Sequence, residues 1–295
     1  MLTQKQSRNI RQHGIATLHD YWSWSLVLGE PFLENGVLTY YDGRIVTFCG
    51  IPLRGEQPVE SNLILSLAEQ WITERAVDAV IYSGAHKLDF RCFKHNGFRR
   101  TDYNNASECS TELLLNSSIA PELIYNLRFY KRAAKLGFRS KVRVGGILPA
   151  DYLKLIERFY QNTGVTGYLA KIAFALPALL RARRVYLIEA WLGQRLCGFA
   201  TLHKAFTDIA VGLFLAHDYE TPCVSDFLYG ETLIHARQLR IALINVGPSP
   251  TPGHYHFKRK WGGKPAVPPN FYTQWTRGSL ARRSHTSWGP RMVKL

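Results

Sequence analysis

No acidic residue follows Glu231, while eleven Lys and Arg lie between Thr232 and the C-terminus. Most of the chain's excess of 37 Lys and Arg over 22 Asp and Glu, a net charge of +15, therefore sits in its last quarter. Such a block attracts polyanions: nucleic acid, a phosphorylated cofactor, an acidic carrier protein or an anionic membrane surface. Cysteine is scarce. The five present, Cys49, Cys92, Cys109, Cys197 and Cys223, are odd in number, widely spaced and form no CxxC pair. That pattern excludes a disulfide framework or zinc ribbon and fits a reducing compartment. Long apolar runs are missing too, since the most apolar stretch, Tyr168 to Leu180, is interrupted by Lys171 and Pro177. Met1 to Gly14 is polar and basic, without the apolar core of a leader. With no transmembrane segment expected, the chain reads as a cytoplasmic protein.

Several catalytic signatures are also lacking. The Gly-Lys pair Gly263-Lys264 is followed by Pro265 and has Lys258 five places before Gly263, which excludes a P-loop. There is no GxGxxG, GxSxG or HExxH. Dinucleotide-dependent oxidoreductase, α/β-hydrolase and zincin readings lose their usual support. His254 and His256 stand two apart but have no Cys, Asp or Glu near them in sequence, so no metal ligand set is expected.

What is there describes a globular enzyme-sized chain. Its 295 residues, 46% hydrophobic and 13% aromatic, suffice for about two domains with buried cores. Residues 15 to 28 predict a first helix, and Gly36 to Leu53 two strands around the turn Tyr41-Asp42-Gly43-Arg44. Glu60 to Ala76 has helical apolar spacing and precedes the apolar strand Ala79 to Tyr82. A short helix, Phe90 to His95, and strands Phe98 to Tyr103 and Ser110 to Leu115 would close the first half. Pro121 to Leu136, with Pro at its start and Gly137 past its end, reads as one linking helix. The order then repeats: strand 139–144, helices 150–161 and 169–180, strands 185–191, 195–202 and 208–216, helix 225–239, strand 241–246. A short helix over 255–260 and an extended segment to about Trp275 follow. Two consecutive units of this kind predict a mixed α/β fold, each unit a mixed sheet flanked by helices. The expected divisions are 1–117, a linking basic helix 118–138, 139–275, and a basic flexible tail 276–295.

Three segments carry a resemblance. Ile241 to Pro265 reads as a strand, the turn Gly247-Pro248, and a helix containing Phe257-Lys258-Arg259-Lys260-Trp261-Gly262. Asn126 to Gly137 reads Asn-Leu-Arg-Phe-Tyr-Lys-Arg-Ala-Ala-Lys-Leu-Gly, and His95-Asn-Gly-Phe98 precedes the strand ending at Leu115. Together these resemble the FemAB-like acyl and aminoacyl transferases, whose closing motif, linking helix and first-half turn they match over roughly residues 30 to 275. The resemblance implies two tandem GNAT-like domains, as in acyl-CoA N-acyltransferases. It implies transfer of an acyl or aminoacyl group from acyl-CoA, an acyl carrier protein or aminoacyl-tRNA to an amine by direct attack. No permanently bound cofactor is implied. The acceptor would be a small amine, a peptide or a lipid head group. One departure stands out: where GNAT domains carry a Gly-rich pyrophosphate loop, this chain reads Asp218-Tyr-Glu-Thr-Pro-Cys-Val-Ser-Asp226.

Aminolysis of an ester or thioester needs a proton acceptor for the amine, a donor for the developing oxyanion and a proton for the leaving group. Lys258, matching the family's lysine, is the first candidate for the oxyanion or phosphate contact, the alternative being a solvated lysine beside Arg259 and Lys260. Tyr255 is a candidate proton donor, and Asn245 and Ser249 flank the turn, where they would orient an amide or hydroxyl. The acids nearest the altered loop are Asp218, Glu220 and Asp226, of which Asp226 is taken as the base or else as a helix cap. Phe257 and Trp261 share a helix face and would touch the donor or pack in the core. Arg128, Lys131, Arg132 and Lys135 would contact donor phosphates or be solvated. A competing class is a catalytically silent nucleic-acid-binding protein, with Tyr272, Trp275 and Trp288 among the C-terminal arginines as stacking platforms for RNA.

Overall fold

The computed structural model describes residues 2–86, 88, 90–100, 112–119, 121–163, 175–181, 185–249, 251–265 and 271–277. Helix α1 (Gln4–His13) opens with a capping box in which the Thr3 side chain and Gln6 satisfy each other's amides. A 3-10 turn (Thr17–His19) and helix α2 (Tyr21–Leu28) follow, where one helix from residue 15 is expected. The break falls at Asp20, whose carboxylate accepts from Ser23 N at 3.3 Å and so starts a new helix.

The first sheet begins as a meander of β1 (Glu30–Glu34), β2 (Val37–Tyr41) and β3 (Ile45–Gly50). The Asn35-Gly36 turn between β1 and β2 has positive φ at both residues, the geometry a two-residue hairpin requires. Asp42 closes the next turn by accepting from Arg44 N and Ile45 N at 3.0 and 2.7 Å. Helix α3 (Ser61–Glu74) then crosses to β4 (Ala79–Gly84), parallel to β3, burying Ile64, Leu67, Ala68, Trp71 and Ile72 on the sheet. A short 3-10 segment (Phe90–Asn96) leads to β5 (Phe98–Arg100).

Beyond β6 (Leu113–Asn116), the expected linking helix is two helices, α4 (Pro121–Asn126) and α5 (Arg128–Ala134), broken at Leu127, whose backbone is extended. Then come β7 (Arg139–Val144), α6 (Ala150–Thr163), α7 (helical over 175–180), and the long antiparallel strands β8 (Val185–Leu192), β9 (Arg195–His203) and β10 (Ile209–His217). Helix α8 (Val224–Gln238) crosses to β11 (Leu243–Asn245), parallel to β10; α9 (Pro252–Lys260), β12 (Lys264–Pro265) and β13 (Phe271–Arg277) complete the described chain. The expected fold class is the one found: mixed α/β, two mixed sheets flanked by helices. Residues 169–174 of the expected helix 169–180, 101–103 of strand 98–103, 110–111 of strand 110–115 and the tail from 278 on lie outside the described residues.

The two sheets exchange strands across the expected divisions. The first has the order β1-β2-β3-β4-β13-β5 and the second β12-β6-β11-β10-β9-β8-β7. Leu113–Asn116, expected to close the first half, pairs with β11 and β12, while Phe271–Arg277 lies between β4 and β5. Divisions at 117, 139 and 275 therefore cut through both sheets, because sequence periodicity gives a strand's existence and not its partner. The packing reinforces the exchange. One core joins Ile10, Leu18 and Trp24 of the N-terminal segment to Leu38, Tyr40 and Cys49 of the first sheet and to Leu187, Phe199 and Val211 of the second. The N-terminal segment is thus a wedge between the sheets. Tyr40 donates its hydroxyl to Leu18 O, and buried His19 accepts from Ile15 N and Ala16 N at Nδ1 and donates from Nε2 to Ile51 O.

Two outcomes are expected. Trp275, 3% exposed in β13, packs with Phe48, Trp71 and Phe98, so Trp275→Ala should cost about 3–5 kcal/mol in denaturant unfolding; a cost under about 1 kcal/mol would mean that β13 adds little to the first core. Burial lowers the pKa of His19 to about 4, against a smaller opposing effect of its bond to Ile51 O. The unfolded chain then binds more protons than the native one between pH 6.5 and about 4, so stability should fall with decreasing pH across that window. His19→Gln should flatten that slope in equilibrium unfolding.

Candidate active site

The second sheet opens where β10 and β11 part. Their parallel ladder pairs Ile209 with Leu243, Ala210 with Ile244 and Val211 with Asn245, and ends there. β10 continues along β9 to His217, whereas the chain after Asn245 turns away. The turn needs Gly247, whose φ is +67°, a region L side chains rarely adopt. Between the diverging segments lies a mostly apolar cavity of about 480 Å³. Its walls are Leu213, Phe214, Leu215 and His217 of β10, Ser225, Tyr229 and Thr232 of α8, His254 and Phe257 of α9, and Phe159 of α6. This is the strand-end crevice in which open α/β sheets take ligands.

Two local features shape the crevice. Gly212 pairs with Leu202 and Phe214 with Thr201, so Leu213 is an extra residue that bulges β10 toward the cavity. Helix α9 begins at Thr251, whose hydroxyl accepts from His254 N at 3.3 Å, with Pro252 in the first helical position.

Beneath the turn is a buried polar knot. Glu112, 1% exposed, accepts from Thr17 N at 2.9 Å, Thr17 Oγ1 at 2.7 Å and Asn245 Nδ2 at 2.7 Å. Burial raises its pKa, while the bonds from Thr17 and Asn245 and the charge of Lys258 pull it down. Asn245 also donates to Ile15 O at 2.6 Å and accepts from Gly247 N at 2.8 Å. Lys258 donates from Nζ to Val246 O, Gly247 O and Pro248 O at 2.6, 3.1 and 2.8 Å. Lys258 lines the cavity and is buried, not solvated, with its ammonium bound to the turn's carbonyls. Asn245 likewise orients the turn and the N-terminal segment.

The other sequence candidates scatter. Phe257 lines the cavity and meets Tyr229 edge-on at 4.8 Å. Trp261, 4% exposed, packs on Phe129 at 4.5 Å and donates to Asp226 Oδ1 at 3.1 Å, so it belongs to the core. Asp226 also pairs with Lys260 at 2.5 Å, joining α8 to α9 and lying outside the cavity walls. Tyr255 is half-buried beside His256 and away from the cavity. Ser249 is buried, its hydroxyl without a hydrogen-bond partner among the described residues. Arg128, Lys131, Arg132 and Lys135 are exposed on and just beyond α5. Among the described residues no group of three or more His, Cys, Asp or Glu clusters as metal ligands, and His256 is exposed while His254 faces the cavity.

The segment lacking glycines carries its own anion. Asp218, 5% exposed, accepts from Glu220 N at 3.2 Å and Thr221 Oγ1 at 2.9 Å and pairs with Arg158 and Arg195 at 3.3 and 3.4 Å. Its pKa is lowered by those bonds and both guanidinium groups, although burial opposes them.

Sequence reasoning missed the cavity's two imidazoles. His217 donates from Nδ1 to Asp218 O at 3.2 Å, since a carbonyl only accepts, which leaves Nε2 as an acceptor. Burial lowers its pKa, with Asp218 opposing. His254 contacts Thr251 Oγ1 through Nδ1 at 2.8 Å, and its pKa is lowered by burial and then by Lys258 and His217. The signal was faint: His217 ends an apolar strand directly before the altered loop.

The fold has known counterparts. No protein-family model matches the chain, and no curated protein matches it. Solved structures do: a conserved protein of unknown function from Bacteroides thetaiotaomicron VPI-5482 has a TM-score of 0.58 at 10% identity, over 92% of this chain and 96% of that one. The C-terminal DUF2156 domain of a putative lysylphosphatidylglycerol synthetase from Agrobacterium fabrum gives 0.56 at 14%, over 93% and 91%. FemX gives 0.56 at 12%, over 92% and 96%. The chain shares their fold.

Lys258→Met removes the donor to three carbonyls and a partner charge of Glu112 while keeping side-chain length. It should cost about 2–4 kcal/mol in denaturant unfolding. A loss below about 0.5 kcal/mol would show that the ammonium does not hold the turn.

Proposed function

We propose that the chain is an N-acyltransferase of the FemAB-like and GNAT type, moving an acyl or aminoacyl group from an activated donor to an amine. The observation that carries this reading is the β10–β11 crevice, an apolar cavity entered by two imidazoles that burial keeps neutral at pH 7. The fold shared with FemX and with the DUF2156 domain supports it. Among the described residues no helix is long and apolar enough to cross a membrane, so a lipid acceptor would come to the protein's surface.

In this reading the donor's acyl chain lies against Leu213, Leu215 and Phe257, and the acceptor amine approaches His217. The amine nitrogen attacks the acyl carbonyl carbon as its proton passes to His217 Nε2, and the carbon's bond to the leaving sulfur or oxygen breaks on collapse. The proton taken up by His217 then passes to the leaving sulfur or oxygen, and Tyr229, whose phenol burial keeps protonated, serves in the cavity as a hydrogen-bond donor. Past Val211, β10 has lost its β11 partner, and an extended donor or acceptor segment would add to that edge. Asp218 bears on the donor's identity. In the segment that stands in for a Gly-rich pyrophosphate loop, a carboxylate already takes up a loop amide and two arginines, which supports a donor carried on tRNA or a carrier protein over free acyl-CoA. The exposed cations Arg128, Lys131 and Arg132 would meet such a polyanionic carrier.

The test is transfer measured by mass spectrometry with aminoacyl-tRNA, acyl carrier protein and acyl-CoA donors. His217→Ala should lower turnover about 10²–10⁴-fold with little change in stability. Because burial lowers the His217 pKa, the acidic limb of the rate profile should fall below pH 6.5. Unchanged turnover in His217→Ala and His254→Ala, or no transfer with any donor, would reject the reading.

A further inference from the structure

A second cavity, of about 300 Å³, lies where the end of α1, the Asp20–Trp22 segment and the end of β9 meet. His19, Asp20 and His203 are its buried polar walls, and His203 is 4% exposed. Asp20 Oδ2 lies 2.6 Å from His203 Nδ1, and Ser23 Oγ contacts the same nitrogen at 3.1 Å. A carboxylate so close fixes the proton on Nδ1, and Nε2 of this cavity-lining residue has no partner among the described residues. Ser23 is on the wrong nitrogen to be activated by Nε2, so the cluster is not a nucleophile triad.

The other charged or titratable walls separate into engaged and available groups. Both His19 nitrogens are engaged, Nδ1 by Ile15 N and Ala16 N and Nε2 by Ile51 O. Lys204 directs its ammonium to Leu239 O at 3.3 Å. Arg11 lines the cavity with an exposed side chain whose guanidinium makes no ion pair or hydrogen bond among the described residues. The Trp22 ring stands 5.1 Å from the imidazole and gives the cavity an aromatic wall.

We infer that this cavity is a second small-molecule site, separate from the β10–β11 crevice, for a compound that presents a hydroxyl or amine proton to His203 Nε2 and an anionic group to Arg11. An imidazole that carries its proton on Nδ1 accepts one hydrogen bond at Nε2, and guanidinium pairs with carboxylate or phosphate through a planar fork. Phosphorylated amino alcohols and amino acids share that chemistry. The cavity's volume lies at the lower end of ligand pockets and suits a molecule of that size.

The experiment is ¹⁵N-detected imidazole NMR of the full chain, titrated separately with O-phosphoethanolamine, L-serine and inorganic phosphate. The expected result is a saturable shift of His203 Nε2 with at least one of the two amine-bearing probes, with phosphate at least about tenfold weaker. Arg11→Ala, a change at an exposed side chain, should weaken that binding about tenfold or more with unchanged thermal unfolding. His203→Gln should abolish it. No shift up to about 10 mM of any probe, phosphate binding as well as the best of them, or unchanged binding in a folded Arg11→Ala variant would overturn the inference.

Discussion

A single buried carboxylate, Glu112, organises the space between the two sheets. It takes two hydrogen bonds from Thr17 and one from Asn245, and the Lys258 ammonium supports it electrostatically. Each partner belongs to a different part of the chain: the N-terminal wedge, the end of β11 and α9. A charge so buried is tolerable only when such partners replace its lost hydration. The knot therefore specifies one arrangement of these parts, and the Gly247 turn hung from Asn245 and Lys258 sets how widely β10 and β11 diverge. The crevice is a consequence of that constraint.

The strand exchange gives the arrangement its rigidity. With β6 in the second sheet and β13 in the first, separating the units would break ladders in both, not merely an interface. The core that contains Leu38, Tyr40, Phe199 and Val211 is continuous across them. Chemistry that requires an imidazole and an acyl carbon in register benefits from such a frame, because positioning on rigid elements preserves a near-attack geometry. At the approach to α8, Asp218 ties two arginines and a loop amide together.

Much of the architecture was legible in the sequence. The Asp42-Gly43 turn and the periodicity of α3 are local signals, and local signals fix elements, although α9 starts at Pro252 and not near Tyr255 as expected, because the Thr251 cap was passed over. Strand partners were not legible: Leu113–Asn116 has the same apolar character whichever sheet receives it. The site was read in part. Phe257 and Lys258 do line the crevice, but the lysine's role depends on three carbonyls that only the turn brings within reach. Asp226 and Trp261 were drawn to each other instead of to the cavity. His217 and Glu112 escaped notice because neither belongs to a motif, and burial, which gives each its chemistry, is a property of the folded chain.

The most direct test of the account is hydrogen–deuterium exchange of the full chain with and without a non-hydrolysable aminoacyl-tRNA or acyl-carrier analogue. The crevice account predicts protection of the β10 segment 212–217 together with the start of α8 and the 246–249 turn. Protection confined to the exposed cationic face of α5, with those segments unchanged, would contradict it.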